Sequence, residues 1–322
     1  MSSVLFIAKT DLNTDGRILN QLNILKQHFG NVQVDFILLP DQKTTIQLGE
    51  NVNLIELNTF FRNNIYLRFF TVIQFSLKAF WKMIKIKPKV IHAQDSAIVI
   101  PVLLYRIFNR NKTYFIYDDH ELPNEKVAVS SKIFNYFENF LTQKSNTVIF
   151  ANEERLKFLK DKLRLTNELF FFLNLPYYAD TEELKLPLYI HEKLEYMQNE
   201  LDVGVQMIIH QGPLKVERGR QKLAHFVKLL PVGYKILLVG GTKNDYERFK
   251  KEYHLPEEKF VFIGRVNYEF LKYFWHKAAA SIVLYLPTYI NNRLCAPNRL
   301  YLSYFNNIPL LVNEDNPVLN NF

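Results

Sequence analysis

The segment His210-Gln211-Gly212-Pro213-Leu214-Lys215-Val216-Glu217-Arg218-Gly219 carries residue types and spacing suited to holding a phosphate. It follows the short apolar run Met207 to Ile209 and precedes an amphipathic stretch. A glycine just after an apolar run lets the backbone approach a ligand closely, and a cation followed by glycine at a helix start offers charge and unpaired N–H groups to an anion. Gly212, Lys215, Arg218 and Gly219 are the candidate contacts. An ordinary strand-to-helix turn with one exposed arginine has the same residues, so the other strand ends must decide between the two readings.

Short β-branched and aromatic runs alternate with longer helical patterns at Val4 to Ala8, Val34 to Leu39, Val90 to Ala93, Tyr114 to Tyr117 and Thr147 to Phe150. The rhythm restarts at Met207 to His210, Tyr234 to Val239, Phe260 to Ile263, Ser281 to Tyr285 and Pro309 to Val312. Runs of this length between helices predict buried parallel strands, and hence two doubly wound α/β domains. Asn174-Leu175-Pro176 is a turn signal, so the expected domains are 1–174 and 175–322.

Ligands of open parallel sheets bind beyond the carboxyl ends of the strands, and here those ends are polar. In the first half they are Lys9 to Asp15-Gly16-Arg17, Gln94-Asp95, Asp118-Asp119-His120-Glu121 and Asn152 to Arg155. In the second half they are Gln211 to Gly219, Gly240-Gly241-Thr242, Gly264-Arg265 and the loop from Pro287 to Asn298. Two such edges facing each other predict one deep central cleft. Asp118-Asp119 lacks the one-residue gap of a metal-binding Asp-x-Asp pair, and no metal is expected.

Composition narrows the partners. The chain has 322 residues, 48% of them hydrophobic, with 27 Phe and 18 Tyr, which excludes disorder and allows two cores. Cys295 stands alone, so neither a disulfide framework nor a cysteine metal cluster is available. Net charge is +8, favouring anionic partners, yet no helix-turn-helix, zinc or RNA-sheet signature supports nucleic acid. The start, Met1-Ser2-Ser3 into Val4, has no basic segment or cleavage site, and a cytoplasmic protein is expected. From Tyr66 to Lys87, Thr71, Gln74, Lys78, Lys82 and Lys85 share one helical face and Ile73, Leu77, Phe80 and Ile84 the other; Phe69, Phe70, Phe75 and Trp81 widen the apolar side. Either an interfacial helix on the cytoplasmic membrane face or a core-packing helix with solvated lysines fits this pattern. No run is long enough to span a bilayer.

The motifs together resemble the GT-B glycosyltransferases, in particular glycosyltransferase family 4. Lys89-Val90-Ile91-His92-Ala93-Gln94-Asp95 resembles the family's strand end "P-D-hydrophobic-I-H-A-H-D", and Tyr117 to Glu121 is similar to "Y-D-x-H-E". Asp15-Gly16-Arg17 resembles the first loop, and Ala151 to Arg155 with Asn174-Leu175-Pro176 resembles the signatures that follow. Gln211 to Gly219 matches "Q-G-x-L…R-G", and Ala296-Pro297-Asn298-Arg299-Leu300 matches "P-N-K-L".

The resemblance implies sugar transfer from a nucleotide sugar to a glycan or polyprenyl-linked glycan, with no cofactor beyond the nucleotide-sugar donor, which is a substrate. It implies retention of configuration, independence of metal, and a role in bacterial surface polysaccharide. Arg218 would meet the diphosphate and His120 the transferred sugar, both as catalytic groups. Gly212, Lys215, Gly219, Gly240, Gly241, Asn298 and Arg299 would complete the donor side, and Asp15, Gly16, Arg17, Asp95, Asp119 and Glu121 the acceptor side. Pro213 stands where relatives often carry a second cation, with Lys215 its nearest substitute. Pro297 would open the helix. The glutamates that hold ribose in relatives fall on Leu294 and Leu302, leaving Glu314 or Asp315 as substitutes. The chain ends at Phe322, where relatives continue into helices that cross back, so a missing or shortened crossover is expected. The rivals are a binding module that has lost donor use and a GT-B epimerase.

Overall fold

A computed structural model describes residues 3–61, 67–109, 112–119, 121–122, 129–176, 186–316 and 318–321. The chain divides into two compact units, Met1–Leu173 and Asn174–Phe322.

In the first domain β1 (Ser3–Ala8), α1 (Gly16–Phe29), β2 (Gln33–Leu38) and β3 (Val52–Glu56) are followed by α2 (Arg68–Ile86), β4 (Val90–Gln94), α3 (Val99–Phe108) and β5 (Tyr114–Asp119). Then come α4 (Val129–Lys144), β6 (Thr147–Phe150), α5 (Glu153–Leu163) and β7 (Glu168–Phe171). All seven strands are parallel, in the order β3-β2-β1-β4-β5-β6-β7. The five expected strands are present. The two not foreseen, β3 and β7, are the sheet edges, where one-sided pairing leaves residues such as Asn53, Glu56 and the exposed Phe170 and blurs the apolar run.

The second domain contains α6 (Leu188–Asp202), β8 (Gln206–Gln211), α7 (Arg220–Leu229), β9 (Tyr234–Val239), α8 (Lys243–Tyr253) and β10 (Phe260–Gly264). It continues with α9 (Leu271–Trp275), β11 (Ala280–Val283), α10 (Ile290–Arg293), α11 (Asn298–Phe305) and β12 (Leu310–Val312). Its five parallel strands run β10-β9-β8-β11-β12. Two clusters hold this sheet: Met207, Ile209, Leu237 and Trp275 pack with Leu302 on one, and Ile208, Ile236, Leu223 and Phe249 on the other. Successive residues of β8 and β9 thus enter different clusters, as the period-two pleat requires. Both sheets reverse strand order once, beside β1 and beside β8, which puts a crevice at the carboxyl ends of β1/β4 and of β8/β11.

Candidate functional site

In the second domain the β8/β11 crevice is built around Tyr285, just past β11. Its N–H donates to Asn313 Oδ1 at 3.0 Å and its carbonyl accepts from Asn313 Nδ2 at 3.1 Å, so the end of β12 fixes it. The Arg218 guanidinium lies 4.3 Å from the Tyr285 ring centroid and that of Arg299 5.2 Å. Two cations are thereby gathered on one aromatic group, in keeping with the attraction of guanidinium for a ring face.

Arg299 is 4% exposed, and neither Nη1 nor Nη2 has a hydrogen-bond partner among the described residues. Burial lowers its pKa to about 10. A Cβ placed on Gly212 would stand 3.9 Å from the Arg299 guanidinium, so the glycine turn after β8 and the arginine are neighbours. His210, wholly buried at the end of β8, is held neutral first by burial and then by the charges of Arg299 and Arg218. A buried cation with free donors is costly unless an anion meets it. This crevice has the chemistry of an anion site.

The loop that brings Arg218 here depends on Gly219. Its φ is +73°, and an added Cβ would fall 2.4 Å from Leu284 Cβ, so α7 starts directly against the end of β11. Gly240 ends β9 beside Gly212, with φ +101°; a Cβ there would press on the Gly212 nitrogen at 3.1 Å. Gly241 follows it with positive φ and precedes Thr242, which caps α8. Lys215 is exposed and opens the single turn that carries Arg218. Asn298 begins α11, with Pro297 one residue earlier than expected, before the helix and not in it. Glu314 is exposed beyond β12, and Asp315 pairs with Lys222. Leu302 is a core residue of α11 and Leu294 is half-buried after α10. Sequence reasoning missed Tyr285 and Asn313; the only signal was an aromatic residue closing an apolar run at a strand end.

The first domain gathers its candidates differently. Arg17 in α1 is buried and bonds Asp118 twice, Nη2 to Oδ1 at 2.7 Å and Nε to Oδ2 at 3.1 Å; it also reaches the Phe172 and Phe150 carbonyls. Gln21 donates to Asp118 at 2.5 Å and accepts from Gln94 at 2.6 Å, so one network ties α1 to β4 and β5. Asp15 caps α1 by accepting from the Ile18 N–H at 3.1 Å and from Thr10 at 2.7 Å, and Gly16 is buried at the helix start.

Beside this network a polar cavity of about 430 Å³ opens at the ends of β1, β4 and β5, lined by Lys9, Asp95, Tyr117, Asp119, Glu121 and Glu138 among others. It brings together three of the expected acceptor residues. Asp95 has φ +71° and ψ 160°, a conformation that L-residues seldom hold and that concentrates at functional sites. Glu138, from α4, is a wall residue the sequence did not flag. Its carboxyl is pushed up to about 7, by burial first and also by Asp95, against the hydrogen bond donated by Tyr117 at 2.7 Å. Burial, then Glu138 and Asp119, keep the Tyr117 hydroxyl protonated. His120 lies outside the described residues.

No family model matches the chain, and no curated protein is similar to it in sequence. Solved structures are. HepE of Anabaena, in complex with UDP-glucose, is 12% identical over 99% of this chain and 82% of its own, with a TM-score of 0.67. Trehalose 6-phosphate synthase of Burkholderia multivorans is 9% identical over 99% and 86%, with 0.66, and sucrose-phosphate synthase of Thermosynechococcus elongatus 15% over 88% and 75%, with 0.65. With two parallel-sheet α/β domains and these likenesses, the chain has the GT-B fold of glycosyltransferases.

Proposed function

We propose that the chain is a glycosyltransferase that moves a sugar from a nucleoside-diphosphate sugar to a hydroxyl of a glycan or polyprenyl-linked glycan, in bacterial surface-polysaccharide synthesis. The observation that carries this reading is Arg299: a buried guanidinium with two nitrogens that have no hydrogen-bond partner among the described residues, beside a glycine turn and sharing Tyr285 with Arg218. When the anomeric carbon–oxygen bond breaks, its electron pair goes to the diphosphate. Two preorganised cations, one of them buried, meet that charge. HepE, of the same fold, forms complexes with UDP and UDP-glucose, which makes uridine donors the first to test.

The acceptor belongs to the first-domain cavity, where Asp95, Asp119 and Glu121 accept hydrogen bonds from sugar hydroxyls. Arg17 and Asp15 position those walls through Asp118 and α1. His120 bonds the transferred sugar. The transfer retains configuration and needs no metal: the acceptor oxygen bonds the anomeric carbon on the face the donor leaves, and its proton passes to the departing diphosphate. Work at an anionic membrane face is supported by the net charge of +8 and by the exposed apolar stripe of α2.

Calorimetric titration with UDP, GDP, ADP and their sugars tests the donor half. Binding of at least one diphosphate, lost in Arg299→Ala, is expected. Heat from none of them would leave a non-catalytic module, and turnover of the sugar without acceptor would point to an epimerase.

A further inference from the structure

α2 buries only part of its apolar surface. Phe75, Ala79 and Met83 face inward, while Phe69, Ile73, Leu77 and Trp81, four residues apart, form an exposed stripe; Leu77 is 50% and Trp81 60% exposed. Just before the helix, Phe60 and Phe61 are also exposed, and Thr71 and Gln74 pin Phe60 to α2 by hydrogen bonds of 2.8 and 2.7 Å. The half-buried Phe80 ring touches Trp81 and Phe108, each at 5.5 Å between centroids, and so joins this stripe to α3.

Next to Phe108, α3 and α4 enclose an open apolar groove of about 630 Å³. Leu104, Ile107, Tyr136 and Phe140 line it, with Arg106 and Lys144 as its charged members. Ile107 is 72% exposed. Apolar surface this continuous marks an interface. Charge decides what it faces. α2 and α3 contain no acidic residue, and Glu138, the one acid of α4, is buried against Tyr117. Lys78, Lys82 and Lys85 of α2 and Lys132 and Lys144 of α4 are exposed. Lysine is depleted at the centre of protein interfaces, whereas lysine with Trp and Phe is the composition of helices that lie in an anionic leaflet.

We propose that the α3/α4 groove seats one hydrocarbon chain of an anionic phospholipid, with the exposed Lys144 at its rim meeting the phosphate and the α2 stripe lying in the same leaflet. The assignment rests on the membrane-face reading above and is separable from it by experiment. The full chain is mixed with phosphatidylcholine vesicles, with or without phosphatidylglycerol bearing a photoactivatable group midway along one acyl chain. Co-sedimentation measures binding, and peptide mass spectrometry maps the cross-links.

Binding to the phosphatidylglycerol vesicles that weakens in salt, with cross-links on α3 and α4, is expected. Ile107→Asp with Phe140→Asp should remove those cross-links and weaken binding by about tenfold or more. Both positions are exposed, so the circular dichroism melt should not change. Vesicle binding with cross-links confined to α2 would overturn the groove and spare the membrane face. No binding to either vesicle would overturn both, and equal binding to both would overturn the anionic headgroup.

Discussion

Replacing Arg299 by methionine should make the free protein more stable and the donor site useless. The guanidinium is buried and its pKa falls from the ordinary arginine range to about 10, so keeping it charged in the folded domain costs about 3 kcal/mol relative to the unfolded chain. Its proton is held in both states below pH 10, so this cost is constant through the neutral range and is relieved only as pH rises through the folded pKa. Methionine keeps much of the side-chain volume, removes the charge, and forfeits about 0.5–1 kcal/mol of contact with Tyr285. The net gain is about 2 kcal/mol, a rise of roughly 4–8 °C in the midpoint of a domain this size. Diphosphate binding should weaken on the order of 100-fold or more, since two charged hydrogen bonds are lost. Scanning calorimetry without ligand and titration calorimetry with UDP measure the two effects. A free variant that melts lower than wild type, with UDP affinity unchanged, would refute the anion-site assignment and its energetics together.

Three other outcomes are expected. Glu138→Gln should flatten a pH dependence: the carboxyl, raised to about 7, binds its proton more tightly in the fold, so its contribution is present below about pH 4.5 and is lost as pH rises through 7. Denaturant titrations at pH 5 and pH 9 should show the variant gaining about 2–3 kcal/mol on wild type at the higher pH, and parallel curves would contradict this. Gly219→Ala forces a Cβ to 2.4 Å from Leu284 and a positive φ on alanine, so stability should drop by about 2–4 kcal/mol and diphosphate binding with it; urea melts check the first and calorimetry the second. Asp118→Asn leaves the buried Arg17 without its ion pair and should cost about 3–5 kcal/mol, whereas a loss under 1 kcal/mol in the same melts would show that the carbonyls alone hold Arg17.

The amino-acid sequence by itself determined the alternation of buried strands and helices, because parallel strands covered on both faces must be short continuous apolar runs and a crossover helix must separate them. It also placed the polar strand ends, and hence Arg218, Arg299, Asp95 and Asp119, at the rims where a doubly wound sheet binds ligands. The edge strands β3 and β7 were illegible because half-exposed pairing does not demand such runs. Only the tertiary structure decided which polar residues are spent on the fold. Arg17 and Asp118 are separated by 101 positions and satisfy each other, while Arg299 lies against Tyr285 and Gly212 and its Nη groups have no hydrogen-bond partner among the described residues. The same holds for α2, whose periodicity allows either face inward until its neighbours are in place. Which face is buried, and which charge is paired, depends on contacts made across the chain, and local spacing carries no record of them.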